Sequence, residues 1–124
     1  MSLWSILGVG VFGGLGAVAR FAQDTVVKSK VTSAFAWGTF TINVLGGLIL
    51  GLITGLVVFG GHADEWRVLL GIGFCGGYTT FSTAMFETAA LIRAGRVRTA
   101  TLNLFVPVLV STSATALGLV LGSL

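Results

Sequence analysis

Charge is scarce in this chain: seven Lys and Arg and four Asp and Glu among 124 residues, 9% in all. A soluble domain of this size carries about a quarter charged residues, so a globular, water-covered surface is excluded. There is one Cys, one His and one Pro. A lone Cys75 allows no internal disulfide, and inside an apolar run it reads as a small packing residue. His62 sits in a loop beside Asp64 and Glu65 with no second His to share a metal, and reads as solvated. No phosphate-binding loop, metal-ligand spacing or Ser/His/Asp set occurs, so no catalysis is expected. Gly8-Val9-Gly10-Val11-Phe12-Gly13 spells GxGxxG, but without the strand-to-helix context of a dinucleotide site. The net charge of +3 lies mostly in connections between apolar runs and gives no reason to expect nucleic acid.

Apolar residues (55%) and glycine (19 residues) are abundant instead. Four apolar runs, at about 3–27, 36–59, 68–92 and 101–124, meet the length of about 20 residues that a bilayer core demands. These predict one all-α integral membrane domain over 1–124 with four transmembrane helices. The first run lacks a preceding basic region and is too long for a cleaved leader, so it is expected to remain as a span. The connection 23–36 reads as an interfacial extension of the first helix, with Trp4 and Trp37 near span ends. Lys28 and Lys30 follow the first run, and Arg93, Arg96 and Arg98 separate the third from the fourth. Leaving Arg20 aside, the opposite side holds only Arg67. The positive-inside rule then predicts a multi-pass cell-membrane protein with both termini outside and one preferred orientation.

The spans carry stripes of small and polar residues. Gly10 and Gly14, and Gly13 and Ala17, are four apart in the first span. Such spacing makes a groove for close helix approach. In the second, Thr39, Asn43 and Gly47 share a face that Gly51 and Gly55 continue. In the fourth, Ser111, Thr115 and Gly118 do the same beyond Asn103 and Pro107, which can kink the helix and free a carbonyl. Asn43 either bonds a neighbouring helix or donates to an anion. Glu87 is the only acid well inside a span; it either serves function or pairs with Arg93 in a wet mouth. Arg20 either snorkels to headgroups or stands as a fixed cation at a vestibule. Glycine grooves on three spans imply an oligomer, most simply a dimer.

The third span is interrupted in the middle by Gly76-Gly77-Tyr78-Thr79-Thr80-Phe81-Ser82-Thr83. Two glycines followed by four hydroxyls in five positions are poor helix material. The third helix is therefore predicted to break near Gly76–Thr80, and in hydrocarbon a break is tolerated only in protein or along a polar cavity. Thr39 and Asn43, Thr79 to Thr83, and Ser111 and Thr115 are all neutral hydrogen-bonding residues able to donate. A lining of such donors suits a small, strongly hydrated anion, and the electropositive edge of Phe81 adds to it.

These residues resemble the small fluoride channels of the Fluc (CrcB) family. The match runs through Gly13-Gly14-Leu15-Gly16-Ala17-Val18-Ala19-Arg20, Gly38-Thr39-Phe40-Thr41-Ile42-Asn43, the third-span motif, Glu87 and the segment 111–118. The resemblance implies an antiparallel dimer with two pores, passively releasing fluoride from the cytoplasm. It implies a structural Na+ at the dimer interface, held here by the backbone carbonyls of Gly76 and Thr79. Together with the stripes, it marks Thr39, Asn43, Thr80, Phe81, Ser82, Thr83, Glu87, Ser111 and Thr115 for the pore, and Arg20 for the vestibule. One position departs: Ala84 stands where the family motif usually places a second Phe. With the one-sided cations, this favours a fixed orientation beside a related, oppositely inserted subunit over a homodimer. Alternatives are a non-conducting partner subunit and a small multidrug-type cation/proton exporter. The exporter would need an embedded carboxylate in the first span, which has none before Asp24.

Overall fold

The computed structural model describes residues 2–124, and every described element is helical. Helix α1 (Leu3–Lys30) begins where the Ser2 hydroxyl accepts the Ser5 N–H at 3.2 Å, a side-chain N-cap. Lys28 and Lys30 occupy its last turn, at the negative end of the helix dipole. Helix α2 (Trp37–Val58) follows. The third span, Asp64–Arg93, is built in pieces. One turn, α3 (Asp64–Trp66), leads into a π-helix, π1 (Arg67–Cys75), then a further turn, α4 (Gly76–Tyr78). Past an opening the span resumes as α5 (Ser82–Arg93), and α6 (Val97–Ser123) completes the bundle with Pro107 inside it. All four stretches are long and apolar enough to cross a membrane. At about 1.5 Å per residue even α2 reaches the roughly 30 Å of a hydrocarbon core.

Small residues set the helix pairing. Helix α2 lies along α6, and α1 lies along π1 and α4. A Cβ on Gly51 would strike the Thr115 carbonyl, and one on Gly118 would strike the Leu48 carbonyl. The stripe Gly47, Gly51 and Gly55 therefore meets α6 backbone to backbone. Lipid tails offer no hydrophobic drive for this contact, so close packing must hold it.

The glycines of α1 divide differently from the expected groove. Gly8, Gly13 and Gly16 face the third span, whereas a Cβ on Gly10 or Gly14 would meet nothing within 4 Å. The Gly76-Gly77 pair also differs in its role. Gly76 keeps helical angles (φ −62°, ψ −40°), and Gly77 is required because any Cβ there would collide with the Gly13 carbonyl. The backbone opens three residues later, at the extended Thr79 (φ −79°, ψ 160°).

A second fastening lies at the basic end. Asn103, 3% exposed, donates to the Thr88 hydroxyl at 2.9 Å and accepts the Ala36 N–H at 3.3 Å. One amide thus ties α6 to α5 and to the connection entering α2. Phe35, Trp37 and Phe40 cluster beside it, with ring centroids 4.8 to 5.6 Å apart.

Candidate ion site

The opening in the third span is held by Asn43 of α2. Its Nδ2 donates to the Thr80 carbonyl at 2.8 Å, and its Oδ1 accepts the Thr80 N–H at 2.9 Å. Both polar groups of one unwound peptide residue are thereby satisfied by a single side chain, as a low-dielectric environment requires. The Thr80 hydroxyl in turn accepts the Thr83 N–H at 3.2 Å, capping the start of α5.

These diversions decide which carbonyls go without a partner. In an unbroken helix the Thr80 N–H would bond the Gly76 carbonyl, and the Thr83 N–H would bond the Thr79 carbonyl. Asn43 takes the first amide and the Thr80 hydroxyl takes the second. The Gly76 and Thr79 carbonyls are thus two of those that the break leaves without helical donors; Gly77, whose helical donor would be the Phe81 N–H, is another. The Thr79 N–H still reaches the Cys75 carbonyl at 2.9 Å. Gly76 is exposed, with open space over its Cα. The positive end of α5 faces the same opening, so the break offers donors on one lip and carbonyl oxygens on the other.

Beside the opening runs a groove of about 430 Å³ between α2, the third span and α6. Asn43, Thr79, Thr80, Phe81 and Ser111 line it, with Gly47 and Pro107. The hydroxyls differ in what they have left to offer. Thr79 donates to the Cys75 carbonyl and Thr115 to the Ser111 carbonyl, at 2.8 and 2.9 Å. The Ser111 hydroxyl is buried and has no partner among the described residues. A buried, unpaired hydroxyl calls for an explanation, and a visiting ligand supplies one. Phe81 is 76% exposed.

The remaining expected site residues lie elsewhere. Thr39 is buried and donates to Glu87, so these two belong together. Glu87 faces a separate cavity of about 290 Å³ toward the basic end, shared with Lys28, Ser33, Trp37 and Phe86. Glu87 thus pairs with a hydroxyl and not with Arg93. Ser82 and Thr83 sit on the first turn of α5 outside the groove lining. Thr115 sits against Gly47, where a Cβ would come within 2.7 Å of its hydroxyl. Arg20 is half-buried on α1 and has no ion-pair partner among the described residues. Of the expected pore residues, Asn43, Thr80, Phe81 and Ser111 line the groove and Glu87 the second cavity, whereas Thr39, Ser82, Thr83 and Thr115 line neither.

Three participants escaped the sequence reading. Tyr78 donates its hydroxyl to Gln23 of α1, and Gln23 donates to Thr41 of α2 at 3.3 Å. Gln23 looked like an interfacial residue because Asp24 and Lys28 follow it. Its distance from Tyr78 in the chain hid the pairing.

A four-span bundle with an opened third helix and polar side chains beside the opening has the make-up of a small polytopic membrane protein with a polar path through it. The sequence comparisons identify which kind. A family model described as "CrcB-like protein, Camphor Resistance (CrcB)" matches residues 7–119, and the chain belongs to that family, one of ion channels and not of enzymes. A relative from Leifsonia xyli, "Fluoride-specific ion channel FluC 1", is 45% identical over 119 residues, which is 96% of this chain and 87% of the relative. The "Fluoride-specific ion channel FluC" of Pyrococcus abyssi is 40% identical over 122 residues, 98% of each chain. "Fluoride-specific ion channel FluC 2" of Cutibacterium acnes is 45% identical over 121 residues, 96% of this chain and 98% of the relative.

Proposed function

We propose that this chain is a subunit of a fluoride channel that lets fluoride leave the cytoplasm down its gradient. The observation that carries the reading is the unpaired Ser111 hydroxyl in the groove that Asn43 holds open. Fluoride is small and strongly hydrated, and hydroxyl and amide donors replace its water. Ser111, Thr80 and the second Nδ2 proton of Asn43 are the donors, with the edge of Phe81 beside them. Glu87, Thr39 and Lys28 form the cytoplasmic approach, and Arg20 a vestibule cation.

The active unit is an antiparallel dimer with two such pathways. The exposed faces of Gly10, Gly14, Gly76 and Phe81 are available to a partner. Lys28, Lys30, Arg93, Arg96 and Arg98 on one side favour both termini outside, beside a related subunit inserted the other way. A Na+ fits the carbonyls of Gly76 and Thr79, which are among those that the break leaves without helical partners. Two oxygens are too few to replace a cation's hydration shell, so the partner's equivalent pair completes the site.

The test is reconstitution of the purified chain in liposomes, alone and with a candidate partner, with fluoride and chloride efflux compared. Fluoride efflux well above chloride is expected. Equal passage of both halides, or proton-coupled cation flux, would reject the reading.

A further inference from the structure

We propose that Gln23 and Tyr78 are positioning residues that set the width of the opening in the third span. Tyr78 is the last helical residue before the extended Thr79, so its Cα marks one lip of the break. Its side chain is 3% exposed. The ring stacks on Phe74, with centroids 5.6 Å apart and planes 23° apart. On another side it covers Gly46, where a Cβ would lie 3.2 Å from Tyr78 Cδ2. The ring therefore has little room to turn, and its hydroxyl is aimed at Gln23. A buried phenol needs such a partner, because an unmatched hydroxyl in an apolar site carries a full desolvation penalty.

Gln23 passes the connection on. Its Oε1 accepts from Tyr78 and its Nε2 donates to the Thr41 hydroxyl at 3.3 Å. Thr41 donates in turn to the Gly38 carbonyl at 2.9 Å, in the first turn of α2. The other lip of the break, Thr80, is held directly by Asn43, also on α2. Both lips are thus referred to one helix, the near lip through α1 and the far lip directly. The distance between them, and with it the aim of the Thr79 carbonyl and the Thr80 hydroxyl, depends on the two connections together. The inference deepens the fluoride reading and rests on it only for the flux part of its test.

Tyr78→Phe removes the hydroxyl and keeps the ring, so the variant retains the Phe74 and Gly46 contacts. It is compared with Gln23→Met, with the double variant, and with Thr88→Val, which deletes a buried hydrogen bond away from the break. Hydrogen–deuterium exchange of peptides covering 79–83 and the fluoride-to-chloride efflux ratio are measured on each reconstituted protein. Losing the connection is expected to speed exchange at Thr80 and Thr83 by about tenfold and to lower the efflux ratio by about tenfold. The double variant should go no further than Gln23→Met, and Thr88→Val should leave exchange at 79–83 unchanged. Wild-type exchange and wild-type ratio in Tyr78→Phe would overturn the proposal. So would effects that multiply in the double variant, or equal loosening by Thr88→Val. If the wild-type chain passes no fluoride either alone or with a candidate partner, while the exchange pattern follows the stated order, the transport reading fails and the positioning role stands.

Discussion

Asn43 on α2 grips Thr80 in the third span by both backbone groups, carbonyl at 2.8 Å and N–H at 2.9 Å. The same two-armed contact keeps the helix open and aims an amide into the groove. Asn43→Asp keeps one acceptor and loses the donor to the Thr80 carbonyl. It also places a carboxylate beside the proposed anion path. Each bond is worth about 0.5–1.5 kcal/mol net, so stability should fall by about 1 kcal/mol while fluoride efflux falls by much more. A thermal melt in detergent and an efflux assay on the same preparation check both halves. An Asp variant with wild-type efflux would remove Asn43 from the pathway.

Ser111 should behave in the opposite sense. Its hydroxyl is buried without a partner, a cost of about 1–3 kcal/mol that deletion relieves. Ser111→Ala is therefore expected to melt at or above the wild-type temperature while fluoride efflux drops roughly tenfold. Stability that rises as function falls separates a ligand-facing group from a packing one. A destabilised Ser111→Ala with intact efflux would mean that the hydroxyl serves the fold.

The sequence carried the four spans and the break because both follow from composition: long apolar runs admit one solution, and a hydroxyl cluster beside glycines cannot stay an ordinary helix in lipid. It could not say which glycines touch which helix. Gly10 and Gly14 have the same spacing as Gly47 and Gly51, yet the first pair faces open space and the second faces α6. Spacing fixes that residues share a face, not what the face meets. The nine-residue π-helix from Arg67 to Cys75 left no signal in the hydropathy pattern either. Nor did the separate partners of two polar residues, since Thr39 and Asn43 lie on one stripe but bond Glu87 and Thr80.

That contrast between glycines is open to measurement. Gly51→Ala would drive a methyl group into the Thr115 carbonyl, where backbone and not a flexible side chain must yield. Overpacking of this kind costs about 1–3 kcal/mol. Gly14→Ala meets nothing within 4 Å and should leave the melting temperature of the isolated subunit unchanged. Equal melting temperatures for the two variants would contradict the α2–α6 packing.

Sodium offers the sharpest check on the freed carbonyls. Gly76 has open space over its Cα, so a methyl group there fits within the subunit. The same methyl group would crowd the proposed ion, shared with a partner across the Gly76 and Thr79 carbonyls. Gly76→Ala is therefore expected to fold and melt normally as a subunit, yet to need about tenfold more Na+ for half-maximal fluoride efflux. Replacing Na+ on both sides with a bulky organic cation should depress wild-type efflux, and returning Na+ should restore it. The two measurements bear on each other, because a carbonyl site predicts sensitivity to the ion and to the methyl group together. Efflux indifferent to Na+ in the wild type, with Gly76→Ala unaltered, would leave those carbonyls bonded to water and remove the ion from the interface.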